Sequence, residues 1–541
     1  MAGIREQTYS ISCKGGIDKT SNTQELLKLP GVAIRLLNFE SSVEGGYRRI
    51  NGYEKLGTGS MTAGGKQPIS GITIYNNGYV IIKSSSVYFT YDGINLTEIN
   101  KSVDYINNPE GVSYSELLAS PLLPRANPGH YTFNVFNQGD RTILMGSCAN
   151  NKPFYCVIKG TTLENSTYMY KELNLTTGNL IGANQSSKYK DQWVISGMDS
   201  APYEIYYSDI LKPDNFEGAN AGAIGFNDRV VGMHMFRKDL YVFCENTIHR
   251  VVGLETGSPV REVVTEKMGC LDGNTIQEVG GDLVFLAPDG LRTLSATARI
   301  GDVNMNSLSK NVGPTIRRVT KDIDKYHVRS VVIRSKAQYR IFFTPKEDTR
   351  LPEYGFIMFL ATVEGGINPE FSEIKGFQIS SIFNGYKDGL EVSISGDFSG
   401  NFYFHDKGSS LDGTIMPFLY QTPFFDMGDP AYRKNIHKIV SYLTLEGNSS
   451  FNIQLKYDYD SENTYAPAPH YSGKLRAPSV YDEVNYKTSK ATYSATNQPK
   501  LEILTEGSGK TVALRIFPTG EACDSFNVQG FDLYYLPGGR I

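Results

Sequence analysis

The stretch GDFSGNFYFHDKGSSLDG, residues 396 to 413, sets Asp397, His405, Asp406 and Asp412 among glycines and aromatic rings. Carboxylates and an imidazole at such spacing can hold a cation or carry a proton. A calcium loop needs oxygen ligands at alternate positions and a distal bidentate glutamate. Asp397, Ser399 and Asn401 supply the first part, and no glutamate supplies the second. Asp and Gly are also what tight β-turns demand, and the turn reading is the favoured one. Other signatures of chemistry are missing: the chain has no G-x-S-x-G, no H-E-x-x-H and no G-x-x-x-x-G-K-[ST]. His234, His249, His405 and His437 fall in strand-like or turn-like runs, where a histidine more often makes a structural hydrogen bond. No catalytic, cofactor-binding or metal-ligating residue is assigned, and no cofactor is expected. Two basic clusters could touch phosphates, YRRIN with Arg48 and Arg49, and IRRVTKDID with Arg317 and Arg318. Solvated surface charge or subunit salt bridges explain them better, so no DNA-contacting residue is assigned.

The elements that position these residues must be mostly β. The 541 residues include 54 Gly, 35 Tyr and 27 Phe but one Trp, a balance that suits short strands joined by tight turns. This length accommodates two to four average domains, or one large β architecture plus an extra domain. A net charge of −4 with 20% charged residues argues against a generally basic nucleic-acid binder and against long disorder. Cys13, Cys148, Cys156, Cys244, Cys270 and Cys523 show no C-x-x-C spacing, so free buried thiols in a reducing cytosol are expected. The first residues, MAGIREQTYSISCKGG, lack an apolar signal region, and GFIMFLATV (355–363) is about half a membrane span. No membrane-spanning segment is expected. Sequons at Asn95, Asn165 and Asn174 are read as chance.

A repeated grammar runs along the chain: an alternating apolar run, a few turn residues, and a second run. NNGYVIIKSSSVYFTYDG (76–93), RKDLYVFCENTIHRVVG (237–253), GGDLVFLAPDGLRTLS (280–295) and DGLEVSISGDFSGNFYFHD (388–406) all follow it. With three further hairpin-like units the count reaches about seven, at a period that suits a β-propeller of about 6–8 blades. A lone hairpin cannot bury both faces, whereas blades around an axis bury each face on a neighbour. Helical signals are rare, the best being SNTQELLKL (21–29), where Ser or Thr could cap a short turn. Residues 101–130, rich in Pro and Asn, read as a long surface connection between blades. After about residue 418 the alternating strands lengthen, which indicates a C-terminal β-sandwich. The expected organisation is an extended segment over 1–60 that joins the ring or propeller, a propeller over 61–417, and a sandwich over 418–541.

SGDFSGNFYF (395–404) resembles the Asp-box S-x-D-x-G-x-T-W of sialidase-like propellers through Ser395, Asp397, Gly400 and Phe402, with one extra residue and no Trp. Asp92 and Gly93 stand in a related setting. That resemblance implies the alternative function, a carbohydrate-binding or sialidase-like propeller with a pocket at its axis. An Asp-box is itself a folding device, and a glycosidase would need paired carboxylates or an arginine cluster as well.

Three blocks together resemble the tail nozzle proteins of short-tailed bacteriophages, also called tail tubular protein B, and the related tail hub proteins. The first is Gly15-Gly16-Ile17, then Asn38, Glu44-Gly45-Gly46, Arg49 and Gly52 within LLNFESSVEGGYRRINGY. The second is YEIYYSDILKPDNF (203–216), followed by GMHMFRKDLYVFCENTIHRVVG and GCLDGNTIQEVGGDLVFLAPDGLRTLS. The third runs from GDFSGNFYFHDKG to Asp429-Pro430 and Arg433-Lys434, and GFDLYYLPGGRI resembles the terminus. The resemblance implies a non-enzymatic virion protein, assembled in the host cytoplasm and placed in the tail. It further implies a hexameric ring that meets a tail adaptor and a tail fibre or tailspike, closes the exit channel, and lets double-stranded DNA pass transiently during ejection.

Overall fold

The computed structural model describes residues 5–56, 67–105, 107–123, 125–126, 129–139, 141–173, 182–299, 307–347, 354–363, 366–460, 469–475 and 498–538. The sequon at Asn174 lies outside them. Antiparallel hairpins form where the turn chemistry asks for them. Asn76 and Asn77, at φ 48° and 54°, join Ile69–Tyr75 to Gly78–Lys83. Asp388 and Gly389, at φ 51° and 78°, join Ser381–Lys387 to Leu390–Gly396. Two left-handed residues in a two-residue loop match the twist of the flanking strands, and Asn, Asp and Gly tolerate that geometry.

Among the described residues, six sheets of four or more strands and one three-stranded sheet (Gln277–Val279, Asp282–Ala287, Gly290–Thr293) surround one axis. The chain is a β-propeller. Its innermost strands touch in sequence around the ring, and Ser381–Lys387 returns to contact Ile69–Tyr75. Burial explains the arrangement. Strand Gly78–Lys83 is buried at every position. Val80 and Ile82 pack with Leu144 and Tyr168 of the next blade, while Tyr79 and Ile81 pack with Ile394 and Phe402 of the last. Each pair of neighbouring blades shares such an apolar seam, so a blade has no free face to expose.

The N-terminal segment is split between two structures. Tyr53–Lys55 pairs antiparallel with Phe402–His405 and becomes the fourth strand of the last blade, which removes the free edge where the ring closes. Gln7–Ser12, Phe39–Ser41 and Tyr47–Arg49 instead pair in one sheet with Lys434–Leu445 and Phe526–Pro537. Arg35–Leu37 bridges Gly366–Lys375 of a propeller blade to Leu419–Gln421, so that blade continues as a nine-stranded sheet into the C-terminal half. The two sheets pack as a β-sandwich over Phe39, Tyr47, Tyr420, Phe451 and Phe526, with the last two rings stacked at 4.7 Å. Residues 1–60, expected as an extended segment joining the ring or propeller, therefore contribute strands to both units.

Four α-helices interrupt the strands among the described residues. Helix α1 (Thr23–Leu26) occupies the expected position, capped by Asn22 in a reciprocal box with Glu25 rather than by Ser or Thr. Helix α2 (Tyr114–Ala119) lies inside 101–130, and its Leu117 is buried in the seam of the first two blades, so that connection is more than a surface loop. Helix α3 (Leu294–Arg299) follows the three-stranded sheet. Helix α4 (Gly313–Lys321) buries Ile316 and Val319 and leaves Arg317 and Arg318 exposed. No described helix is long and apolar enough to cross a membrane.

Candidate functional site

The four residues of the 396–413 stretch do not converge on a reaction centre. Asp397 is buried and accepts from the backbone N–H groups of Ser399 (2.9 Å) and Asn401 (2.7 Å) with Oδ1. Its Oδ2 accepts from Asn401 Nδ2 (2.9 Å) and the Tyr403 hydroxyl (3.0 Å). Donors fill both oxygens, which makes this a turn lock rather than a cation cradle. Asp92 repeats the device in the first blade: its Oδ1 accepts from the N–H groups of Ile94 (2.8 Å) and Asn95 (2.9 Å) and from the Thr90 hydroxyl (2.9 Å). Partial burial would raise its carboxyl, but these donors win and bring it down to about 2. Asp412, at φ 49°, occupies a turn. His405 is buried, shares a 2.6 Å hydrogen bond with Ser395 Oγ and stacks on Phe377; burial pushes its pKa down to about 4, so it is neutral at pH 7. Among the described residues no group of three His, Cys, Asp or Glu is placed to hold a metal ion. All six cysteines are buried and unbridged.

Asp406 belongs to a charge network that fastens the propeller to the sandwich. Its left-handed backbone (φ 56°) turns the carboxylate toward Lys336 Nζ at 3.0 Å and Arg340 Nη2 at 3.1 Å. The same two cations reach Glu40, at 3.2 and 3.3 Å, and Gln338 donates to Glu40 at 2.8 Å. Arg48 pairs with Glu40 at 2.7 Å and with Glu446 at the far end of the sandwich strand. Burial works to raise both buried carboxyls; the cations overcome it and hold Glu40 and Asp406 below the usual carboxylate range. Arg48 is thus architectural. Its neighbour Arg49 is buried over the Phe418 ring at 5.1 Å, with one bond to the Ser409 carbonyl at 3.0 Å and with Nε and Nη1 unpartnered.

The remaining histidines are scattered. His249 shares a hydrogen bond with Thr247 (3.0 Å), His437 meets Glu6 at 2.6 Å, and His234 bonds the Met235 carbonyl at 2.8 Å. Of these, His234 borders a cavity at the propeller axis. That cavity, about 220 Å3, is lined by residues from every innermost strand, among them Ser186, His234 and Arg329, and by His130 and Asn274 just before two of those strands. Sequence reasoning missed His130 and Arg329, because residues that face an axis recur once per blade and not at a fixed spacing. Arg317 and Arg318 border two different surface grooves and do not act together.

No protein-family model matches this chain, and no curated protein matches it. Among solved structures it is similar to the extracellular domain of BT4673 from B. thetaiotaomicron, at 9% identity and TM-score 0.35 over 65% of this chain and 39% of that one. It is also similar to BBS1N from a complex with ARL6DN, at 7% identity and TM-score 0.24, covering 63% of this chain and 79% of that one. Hsv2 of Kluyveromyces lactis follows at 9% identity and TM-score 0.26, covering 57% of this chain and 98% of that one. Likeness at these scores carries no argument, and the propeller rests on the strand pairing itself.

Proposed function

We propose that this chain is a non-enzymatic structural protein of a short phage tail, the nozzle or hub subunit. In this reading six copies form a ring that closes the DNA exit channel, connects the adaptor to fibres or a tailspike, and opens during genome ejection. The observation that carries the proposal is where the N-terminal residues of the family resemblance sit: they are the joint between propeller and sandwich. Asn38, at φ 55°, binds the Lys375 backbone and the Pro417 carbonyl with its side chain. A Cβ on Gly46 would meet the Val528 carbonyl at 2.5 Å, and one on Gly52 would meet the Ser410 carbonyl at 1.8 Å. Arg49 reaches the Ser409 carbonyl between these glycines. A chain interleaved in this way suits a part that must stay rigid under load.

The size of the axial cavity supports the same reading. Ligand pockets run to about 300–1,000 Å3, and a duplex has a major groove alone about 12 Å wide. At about 220 Å3 the cavity is small for an oligosaccharide and far too small for DNA, so the conduit would run between copies. Closed rings arise when one heterologous interface repeats by a rotation that closes. Light scattering and native mass measurement of the protein, alone and with its adaptor, should give a six-copy assembly. A protein that stays monomeric with the adaptor and is absent from purified virions overturns the proposal.

A further inference from the structure

We propose that the propeller axis is a binding site for a small oxyanion of the size of inorganic phosphate or sulfate, held by Arg329 with the hydroxyl and amide groups around it. Arg329 lines the cavity and is half-buried. Its Nε donates to the Ser380 carbonyl at 2.8 Å and its Nη1 to the Val328 carbonyl at 2.6 Å. Those bonds fix the guanidinium and leave Nη2 with no acceptor among the described residues.

A half-buried guanidinium that lines a cavity and makes no ion pair is a ready partner for a negative charge. No described Asp or Glu lines the cavity. The carboxylate that acts on Arg329, Asp272, makes no ion pair with it; its Oδ1 accepts from Asn274 N (2.8 Å) and Asn274 Nδ2 (2.9 Å). Burial pushes the Asp272 carboxyl upward and lowers Arg329 to about 10, and each group only partly offsets the shift of the other from beyond ion-pair distance.

The rest of the wall offers polar groups in the right places. His130 borders the cavity, and its Nδ1 is buried without a partner. Burial first, then Arg329, keeps that imidazole neutral, and the Ser70 backbone accepts from it, so the ring adds no charge and no free donor to the wall. Thr132 and Ser186, on the inner strands of adjacent blades, bond each other at 2.8 Å on the same wall. A fixed cation and hydroxyls on different blades form a rigid cradle that an oxyanion could enter without reorganising the ring.

Calorimetric titration of the full chain with sodium phosphate, sodium sulfate and sodium acetate, at constant ionic strength, tests this. One site per chain for phosphate or sulfate is expected, with a matching rise in melting temperature. Arg329→Met should weaken binding at least tenfold, and Ser186→Ala should weaken it severalfold while leaving the ring folded. Replacing both Arg317 and Arg318 by Ala should leave the affinity unchanged. The proposal is overturned by absence of saturable binding for both phosphate and sulfate, by undiminished binding in a folded Arg329→Met protein, or by loss of binding in the double variant on α4. Should Arg329→Met not fold, unchanged affinity in Ser186→Ala overturns it equally. Acetate binding as tight as phosphate would replace the inorganic oxyanion by a carboxylate and overturn the assignment of class.

Discussion

Arg340 and Arg329 stand on paired strands of one blade, Gln338–Pro345 and Tyr326–Ile333, where Arg340 lies opposite Val331 and Arg329 opposite Phe342. Their surroundings differ in kind. Arg340 meets Glu40, Asp406 and Gln338 at the joint between propeller and sandwich, and Lys336 shares both carboxylates. Arg329 meets two carbonyls and a cavity. A closed set of charges fixes one geometry and has no capacity left for a ligand. An open one marks a place where something from outside completes the set. The comparison separates architecture from a site more sharply than residue type does, since both positions carry the same side chain.

The largest test converts the closed set into an open one. Glu40→Ala removes the carboxylate shared by Arg48, Lys336 and Arg340 and leaves buried cations short of partners. Breaking a buried pair from one side costs about 3–5 kcal/mol. The denaturation midpoint of this variant should fall accordingly, and a change of under about 1 kcal/mol would show that the network is not closed in solution. A chain of this size need not unfold in two states, so the shift is best followed by near-UV and far-UV signals together.

The difference between the two arginines also explains what the sequence made legible. Hairpin turns such as Asn76-Asn77 and Asp388-Gly389 announce themselves because the cause lies within four residues. Asp397 reads correctly as a turn residue for the same reason, its partners being Ser399, Asn401 and Tyr403. Glu40 meets Lys336 and Arg340 across about 300 residues, and no local pattern reports that. Arg329 and His130 meet only because the ring closes. Helix α4 is weakly signalled in another way: Gly313-Pro314 followed by Ile316 and Val319 is a helical start with i, i+3 spacing, but the helix is only nine residues long and its apolar stripe is interrupted by Arg317 and Arg318. The split of residues 1–60 between sandwich and last blade had no signal, since short strands such as Tyr53–Lys55 lack a period.

Acid should act on the closed region in a fixed order. His405 has a folded pKa of about 4 against an ordinary 6.5, so the unfolded chain binds the extra proton first and stability falls as pH drops from about 6.5 toward 4. The loss from this residue is roughly 2–3 kcal/mol by pH 4, at about 1.4 kcal/mol per unit. Asp406 is held below its ordinary 3.8, so its contribution is present above that value and is lost only as pH falls further. His327, also lowered to about 4 by burial, adds to the same slope. Melting temperatures from pH 7 to 4.5 should therefore fall less steeply for His405→Gln than for the natural chain. Equal slopes would mean that His405 is already solvated and that the last blade opens in solution.

The smallest effect is the most pointed, because its sign is at stake. Arg49 resembles Arg329 in lacking a carboxylate partner, with Nε and Nη1 unsatisfied, yet it is fully buried over the Phe418 ring. Nothing from outside can complete it. If an open charge signals a site only where there is room for a ligand, then Arg49 is a plain cost of the joint, offset in part by its bond to Ser409 and by the ring beneath it. Replacing a buried unpaired charge with an apolar side chain of similar volume is often neutral or stabilising. Arg49→Met should then melt within about 1 kcal/mol of the natural protein, or above it, and leave phosphate binding at the axis untouched. A loss near that of Glu40→Ala would put Arg49 in the closed network and dissolve the distinction between the two kinds of region, since the charge most isolated in the geometry would prove as essential as the best paired.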